Sequence, residues 1–239
     1  MPERSPSEPS ASLQDVIAAL HALHGQQPAP PATDPFELVL LENVAYLGSP
    51  QQRRAAFDAL RTTVGTTPAA ILDAPRAALE KVAAHGILAA RFAGKLRDCA
   101  QIAVERCGGD LQCALAGPIA KDRRTLRQFP GIGEPTADKI LLFSHRIACL
   151  APESNGLRVL ARLGFIAEDA SYARMYRASQ RLDAQLPATV DAMQQAHLLL
   201  QRHGQTLCRN ASPRCTECPL ARTCAHARRL SERRPLANK

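Results

Sequence analysis

No stretch of the 239-residue chain approaches the roughly 20 apolar residues that a membrane-spanning helix needs, because charge interrupts every leucine-rich run. A soluble protein with no membrane partner is expected. No segment alternates apolar and polar residues as a half-buried strand does, and no repeat runs along the chain. An apolar signal segment is also missing ahead of the eight cysteines, so a reducing, cytoplasmic setting is expected, in which disulfides are rare.

Acidic residues are scarce where basic ones are dense. From Gln201 to Lys239 the chain carries nine basic residues against two acidic ones, Glu217 and Glu232, and this segment supplies seven of the eight net positive charges. A localised basic patch attracts phosphate backbones and releases their counterions, which points to nucleic acid, here in the nucleoid, or else to a solvated basic tail. With 46% hydrophobic residues the chain can bury a sizeable core without help from metal.

What is present is helical punctuation. Leu13, Val16, Ile17, Leu20 and Leu23 recur at helical spacing behind a capping pair, Ser12 and Asp15. Asp34 before Pro35 and Ser49 before Pro50 each read as a cap followed by a first-turn proline. Further helices are expected from Pro68 to Asp73, Pro75 to Ala84, Ile87 to Arg106, Leu111 to Gln128, Thr136 to His145, Gly156 to Leu163, Ser171 to Leu186 and Thr189 to His203. Gly65, Gly86, Gly108 and Gly204 are read as helix ends. Residues 1–10 and 25–33 have the composition of flexible flanks, and a frayed basic tail is expected over 229–239. The fold class is all-α.

Cys208, Cys215, Cys218 and Cys224 bring four soft thiolates into one short loop. Such ligands select zinc, copper(I) or iron-sulfur centres. Zinc modules usually separate two short cysteine pairs by a dozen or more residues, and this loop does not, so an iron-sulfur site is the better reading. Cys99, Cys107, Cys113 and Cys149 stand singly and are expected to be buried.

This spacing, with His203-Gly204 before it and a basic tail after it, resembles the iron-sulfur loop of the endonuclease III class of base-excision DNA glycosylases. A second motif agrees: Leu126 to Ala137, with Phe129-Pro130-Gly131-Ile132-Gly133 at its centre, resembles the helix-hairpin-helix of that superfamily. Its two glycines let backbone approach a phosphate, and the following helix presents free N–H groups. The resemblance covers most of the chain from Asp34 to Cys224. It implies two helical lobes, one over 48–146 carrying the hairpin and one built from 34–47 plus 147–228 around a [4Fe-4S] cluster. It implies double-stranded DNA as partner and a monomer as the working form. Gly131, Ile132, Gly133 and Thr136 become DNA-contact positions, and Arg209, Arg214 and Arg222 become phosphate contacts.

The chemistry implied by the resemblance needs a carboxylate near the sugar, where positive charge develops. Alignment on Leu157 to Arg162 puts Glu153 at the family's aspartate, with Asn155 beside it. Strand-nicking members carry a lysine at the position of Pro135, which has no amine to attack with. Lys139, four residues on, shares that helix face and is more readily a solvated or acid-paired residue than a substitute nucleophile. The adenine-excising branch uses a glutamate that matches Glu42, and the apolar neighbours Leu41 and Val44 suit a raised pKa for acid work. Where family members insert a Gln-rich segment into the base stack, this chain has Tyr46-Leu47-Gly48, and Tyr46 and Leu47 can act as a wedge. No segment matches that branch's domain for oxidised guanine. The expectation is a monofunctional glycosylase acting on a damaged or mispaired base, a purine, without efficient lyase activity. The alternative is a DNA-structure binding protein that has lost turnover.

Overall fold

The computed structural model describes residues 9–232, so the first eight residues of the expected N-terminal flank and the tail from 233 onward lie outside the described residues. Among the described residues all regular structure is helical. In chain order the helices are α1 (Leu13–His24), α2 (Pro35–Asn43), α3 (Pro50–Thr63), α4 (Pro68–Asp73), α5 (Arg76–Ala83), α6 (Ala89–Cys107), α7 (Leu111–Ala114), α8 (Ile119–Leu126), α9 (Glu134–Phe143), α10 (Ser154–Leu163), α11 (Tyr172–Ser179), α12 (Val190–Thr206) and α13 (Ala225–Glu232). Short 3-10 helices cover Gln180–Gln185 and Cys215–Glu217.

Local chemistry explains most of the boundaries. The Ser12 hydroxyl accepts the Asp15 N–H at the start of α1, and Asp34 accepts the N–H groups of Phe36 and Glu37 at the start of α2. Ser49 and Gln52 form a reciprocal capping box ahead of α3. The helix expected from Leu111 to Gln128 is instead two. Gly117 and Pro118 part α7 from α8, since proline disfavours helical backbone in the residue before it. Likewise the stretch from Ser171 to Leu186 is α-helical only to Ser179 and then tightens into 3-10 geometry.

The chain divides into two compact units, Met1–Ala29 with Ile147–Lys239, and Pro30–Arg146. In the first, α12 packs against α10 and α1. The α1 face formed by Leu13, Val16 and Leu20 is fully buried, each side chain contributing about 1.5–3 kcal/mol of transfer free energy. Gly204, read from sequence as a helix end, lies inside α12. A Cβ there would sit 2.7 Å from both the Cβ and the carbonyl oxygen of Asn155, so the glycine is required by close packing against the start of α10.

In the second unit, α2 packs on α6, α9, α3 and α7, and α4 and α5 pack on α6. The division differs from the expected one over 34–47, which groups with the hairpin-bearing helices. The reason is chemical: Leu38, Val39 and Leu40 are buried, and Asn43 donates through Nδ2 to the carbonyls of Val39 (3.1 Å) and Pro130 (3.0 Å). The 25–33 stretch, expected to be flexible, is hydrogen-bonded within both units. Gln27 and Gln195 exchange two backbone-to-amide bonds of 3.0 and 2.9 Å, and Arg61 donates to the Pro31 carbonyl. Among the described residues no helix is long and apolar enough to cross a membrane.

Candidate functional site

The hairpin expected from sequence is present in the second unit as α8, a turn over 127–133, and α9. Gly131 takes a left-handed backbone at φ +76°, and both Gly131 and Gly133 are exposed. Gly133 caps α9 with no side-chain hydrogen bond, which leaves first-turn N–H groups open to an anion. Thr136 lies half-buried in that turn. The Ile132 side chain is buried, as is that of Phe129, and its N–H donates to the Phe129 carbonyl. Glu134, exposed at the first helical position, stabilises the helix start but opposes a phosphate there.

Glu42 is the penultimate residue of α2. Its carboxylate accepts from the Lys139 ammonium at 2.6 Å and faces the Arg53 guanidinium at 3.8 Å. Glu42 and Lys139 are both mostly shielded from solvent, with side chains 17% and 20% exposed. The apolar setting expected around Glu42 is therefore a charged one, because α9 brings the lysine one turn beyond Pro135 back onto α2. Pro135 itself occupies the first turn of α9.

Beyond α2 the chain forms an exposed apolar surface that sequence reading found only in part. Tyr46 and Leu47 are exposed, Leu47 to 72%. Beside them stand Ile87 and Leu88, each 53% exposed, joined by the Ile87 N–H donating to the Tyr46 carbonyl at 3.1 Å. Leu47 and Leu88 both adopt left-handed backbone, at φ 54° and 58°, strain that non-glycine residues rarely keep without a use. The Tyr46 ring stacks on Phe92 with centroids 4.6 Å apart and planes 12° apart, and the Lys95 ammonium sits 4.4 Å over the Phe92 ring. The sequence signal for Ile87-Leu88 was an apolar pair directly after Gly86 and before a polar helix face.

In the first unit Glu153 caps α10. Its Oε1 accepts the N–H groups of Asn155 (3.0 Å) and Gly156 (3.1 Å), and its Oε2 accepts from Asn155 Nδ2 (2.8 Å). Asn155 in turn accepts from Arg158 (2.7 Å), whose guanidinium also donates to the carbonyls of Gly204 (2.8 Å) and Cys208 (3.0 Å). Arg162, one turn on, donates to the Cys208 sulfur (3.4 Å) and to the carbonyls of Arg209 and Asn210. Sequence reading missed both arginines as organisers of the thiolate loop.

Cys208, Cys215, Cys218 and Cys224 line one cavity, closed otherwise by Val159, Leu163, Leu207 and Leu220 among others. Among the described residues no disulfide joins any of the eight cysteines. Among the described residues no three His, Cys, Asp or Glu side chains are gathered as the shell of a single metal ion. A cuboidal iron-sulfur cluster spaces its ligands more widely than one ion does, and four soft donors around one largely apolar cavity fit it. Burial pushes the Cys218 thiol up to about 11, as expected of sulfurs held away from water without a cation. Arg209 and Arg222 are exposed beside this loop, whereas Arg214 is paired with Glu217 through two bonds of 2.7 and 2.5 Å. Of the other four cysteines, Cys99 and Cys149 are buried, Cys107 is half-buried and Cys113 is exposed, contrary to the expectation for that last residue.

Several solved structures share this architecture. An endonuclease III trapped as a covalent DNA intermediate superposes with a TM-score of 0.74 at 19% identity, over 92% of this chain and 99% of that one. The fold is that of endonuclease III. A thermostable thymine-DNA glycosylase gives 0.73 at 15% identity, over 91% of this chain and 97% of that one. In sequence the chain is similar to endonuclease III of Treponema pallidum, 31% identical over 46% of this chain and 49% of the relative. It is also similar to endonuclease III of Sulfolobus acidocaldarius, 26% identical over 80% and 82%. The chain spans about half the length of the first curated relatives it matches. No protein-family model matches. The all-α helix-hairpin-helix glycosylase architecture thus agrees with the reading from sequence.

Proposed function

We propose that the protein is a monofunctional DNA glycosylase that hydrolyses the N-glycosidic bond of a damaged or mispaired purine in duplex DNA. The observation that carries the monofunctional reading is the state of the amines near the hairpin. Pro135 stands where a Schiff-base lysine would be, and the Lys139 ammonium is bound to Glu42 at 2.6 Å. A protonated, ion-paired amine is a poor nucleophile.

Glu153 is the sugar-side carboxylate in this reading. Its charge is fixed in place by two backbone N–H groups and the Asn155 amide, so it needs no reorganisation as positive charge builds on the sugar. Once substrate displaces Lys139, Glu42 takes up a proton from solvent and passes it to the leaving purine. Gly131, Gly133 and Thr136 hold the backbone at α9, and Arg209 and Arg222 hold it at the thiolate loop. Tyr46, Leu47, Ile87 and Leu88 enter the stack where the nucleotide leaves it, their exposed apolar area recovered against base faces. The four thiolates hold a [4Fe-4S] cluster, which supplies crosslinks that shape the loop.

A second reading is favoured by the ion pairs that hold the Glu42 carboxylate to Lys139 and Arg53: a DNA-structure binding protein without turnover. One experiment separates the two. Duplexes carrying a panel of lesions and mismatches are incubated with the protein, with and without alkali afterwards. Base release revealed only after alkali supports the monofunctional enzyme. Binding without release from any substrate supports the second reading, and borohydride trapping would contradict the roles given to Pro135 and Lys139.

A further inference from the structure

The unit that holds the thiolate loop contains a hydrogen-bonded chain that no catalytic role uses. His24 is the last residue of α1, and its Nε2 lies 3.3 Å from Nδ1 of His203 on α12. His203 Nε2 lies 3.5 Å from the Cys218 sulfur. The two rings meet edge to face, with centroids 5.5 Å apart, and His203 is buried. We propose that His203 is a positioning donor to the Cys218 thiolate of the iron-sulfur centre, held in its donating tautomer by His24, so that docking of α1 sets the reduction potential of the cluster. This rests on the cluster reading above.

The direction of each bond follows from the chemistry. A metal-bound thiolate can only accept, so His203 must carry its proton on Nε2. In a neutral ring Nδ1 is then a lone pair, and a lone pair facing another imidazole nitrogen requires that His24 donate from its own Nε2. His24 therefore selects the His203 tautomer. Three independent ties fix His24 itself: the buried face of Leu13, Val16 and Leu20, the Gln27–Gln195 exchange, and a 2.9 Å bond from Arg228 of α13 to the hydroxyl of Ser10, three residues ahead of α1. An N–H directed at a ligand sulfur stabilises added negative charge, so it favours the reduced cluster and raises its potential.

The test is electrochemical, on the full chain purified anaerobically and assayed for iron and acid-labile sulfide. His24→Phe keeps a ring against His203 and removes only the donor. His203→Leu removes the donor to sulfur, and His203→Gln offers an amide N–H in its place. Both His24→Phe and His203→Leu are expected to move the midpoint potential negative, by about 59 mV for each tenfold change in the ratio of reduced to oxidised cluster in this one-electron couple. His203→Gln is expected to recover part of the shift. The His24 and His203 ring-nitrogen signals of the wild-type protein should report opposite roles for His203 Nε2 and Nδ1. Equal potentials in wild type, His24→Phe and His203→Leu, all with full iron and sulfide, would overturn the proposal and leave the cluster reading intact. A wild-type protein with neither iron nor sulfide would overturn the cluster reading, and the proposal with it.

Discussion

Replacing Glu153 should separate its capping of α10 from the role proposed for it, a charge beside the sugar. Glu153→Ala removes the acceptor for the Asn155 and Gly156 N–H groups and for the Asn155 side chain. A lost cap costs about 1 kcal/mol, and the loss of negative charge at a helix N-terminus adds about 0.3–1 kcal/mol, so the alanine variant should lose about 1–2 kcal/mol. Glu153→Gln keeps an oxygen where Oε1 accepts both backbone N–H groups but gives up the charge and, with an NH2 in place of Oε2, the acceptor for the Asn155 amide, so it should lose about 1 kcal/mol. Glu153→Asp keeps the charge and is a good cap. Hydrogen exchange at the first-turn amides of α10 reads the stability side without assuming that both units unfold together. Base release reads the chemistry, and there glutamine should fall about 100-fold or more while aspartate remains active. A glutamine variant that is nearly as stable as wild type and releases base at the wild-type rate would refute the reasoning, leaving Glu153 as a cap and nothing more.

Asn43→Ala should destabilise the hairpin-bearing unit by about 1–3 kcal/mol, because the Pro130 carbonyl loses its donor, and DNA binding should weaken with it; chemical denaturation and duplex titration check both. Glu134→Gln should tighten duplex binding by about 0.3–1 kcal/mol by removing a negative charge from the helix start proposed to bind phosphate, with the gain fading as salt rises. Alkylation of the native protein followed by peptide mass analysis should label exposed Cys113 and spare Cys99. Burial has pushed the Cys99 thiol up to about 12, so even at pH 9 almost none of it is thiolate.

Much of the fold was legible because its punctuation is local. Ser12, Asp34 and Ser49 cap the helices they were expected to cap, since a side-chain oxygen two or three residues from free N–H groups needs no tertiary information. Several of the misreadings involve distant partners. Gly204 reads as a helix end until Asn155 is seen against it. Residues 34–47 read as part of the other unit until Asn43 is seen holding the hairpin turn. Glu42 has apolar neighbours in sequence and cationic ones in space, because a helix surface is furnished by elements far along the chain. Ile132 sits between two exposed glycines and yet faces inward, as the turn geometry alternates what it shows.

The same dependence on distant partners joins the thiolate loop to Glu153 within one unit. Arg158 ties three groups: Asn155, which holds the Glu153 carboxylate, and the carbonyls of Gly204 and Cys208. Arg158→Met would keep most of the apolar stem and remove all three bonds. The Gly204 carbonyl loses this donor in a buried stretch of α12, and Asn155 loses the contact that fixes its amide orientation, and with it the 2.8 Å bond to Glu153 Oε2. Base release should therefore fall through kcat with little change in duplex affinity, and extruding the iron proposed for the thiolate loop from wild-type protein should perturb the Asn155 side-chain amide signal. In the Arg158→Met variant the same extrusion should leave that signal where it was. If metal removal shifts it equally in both proteins, the loop reaches Glu153 by a route other than Arg158.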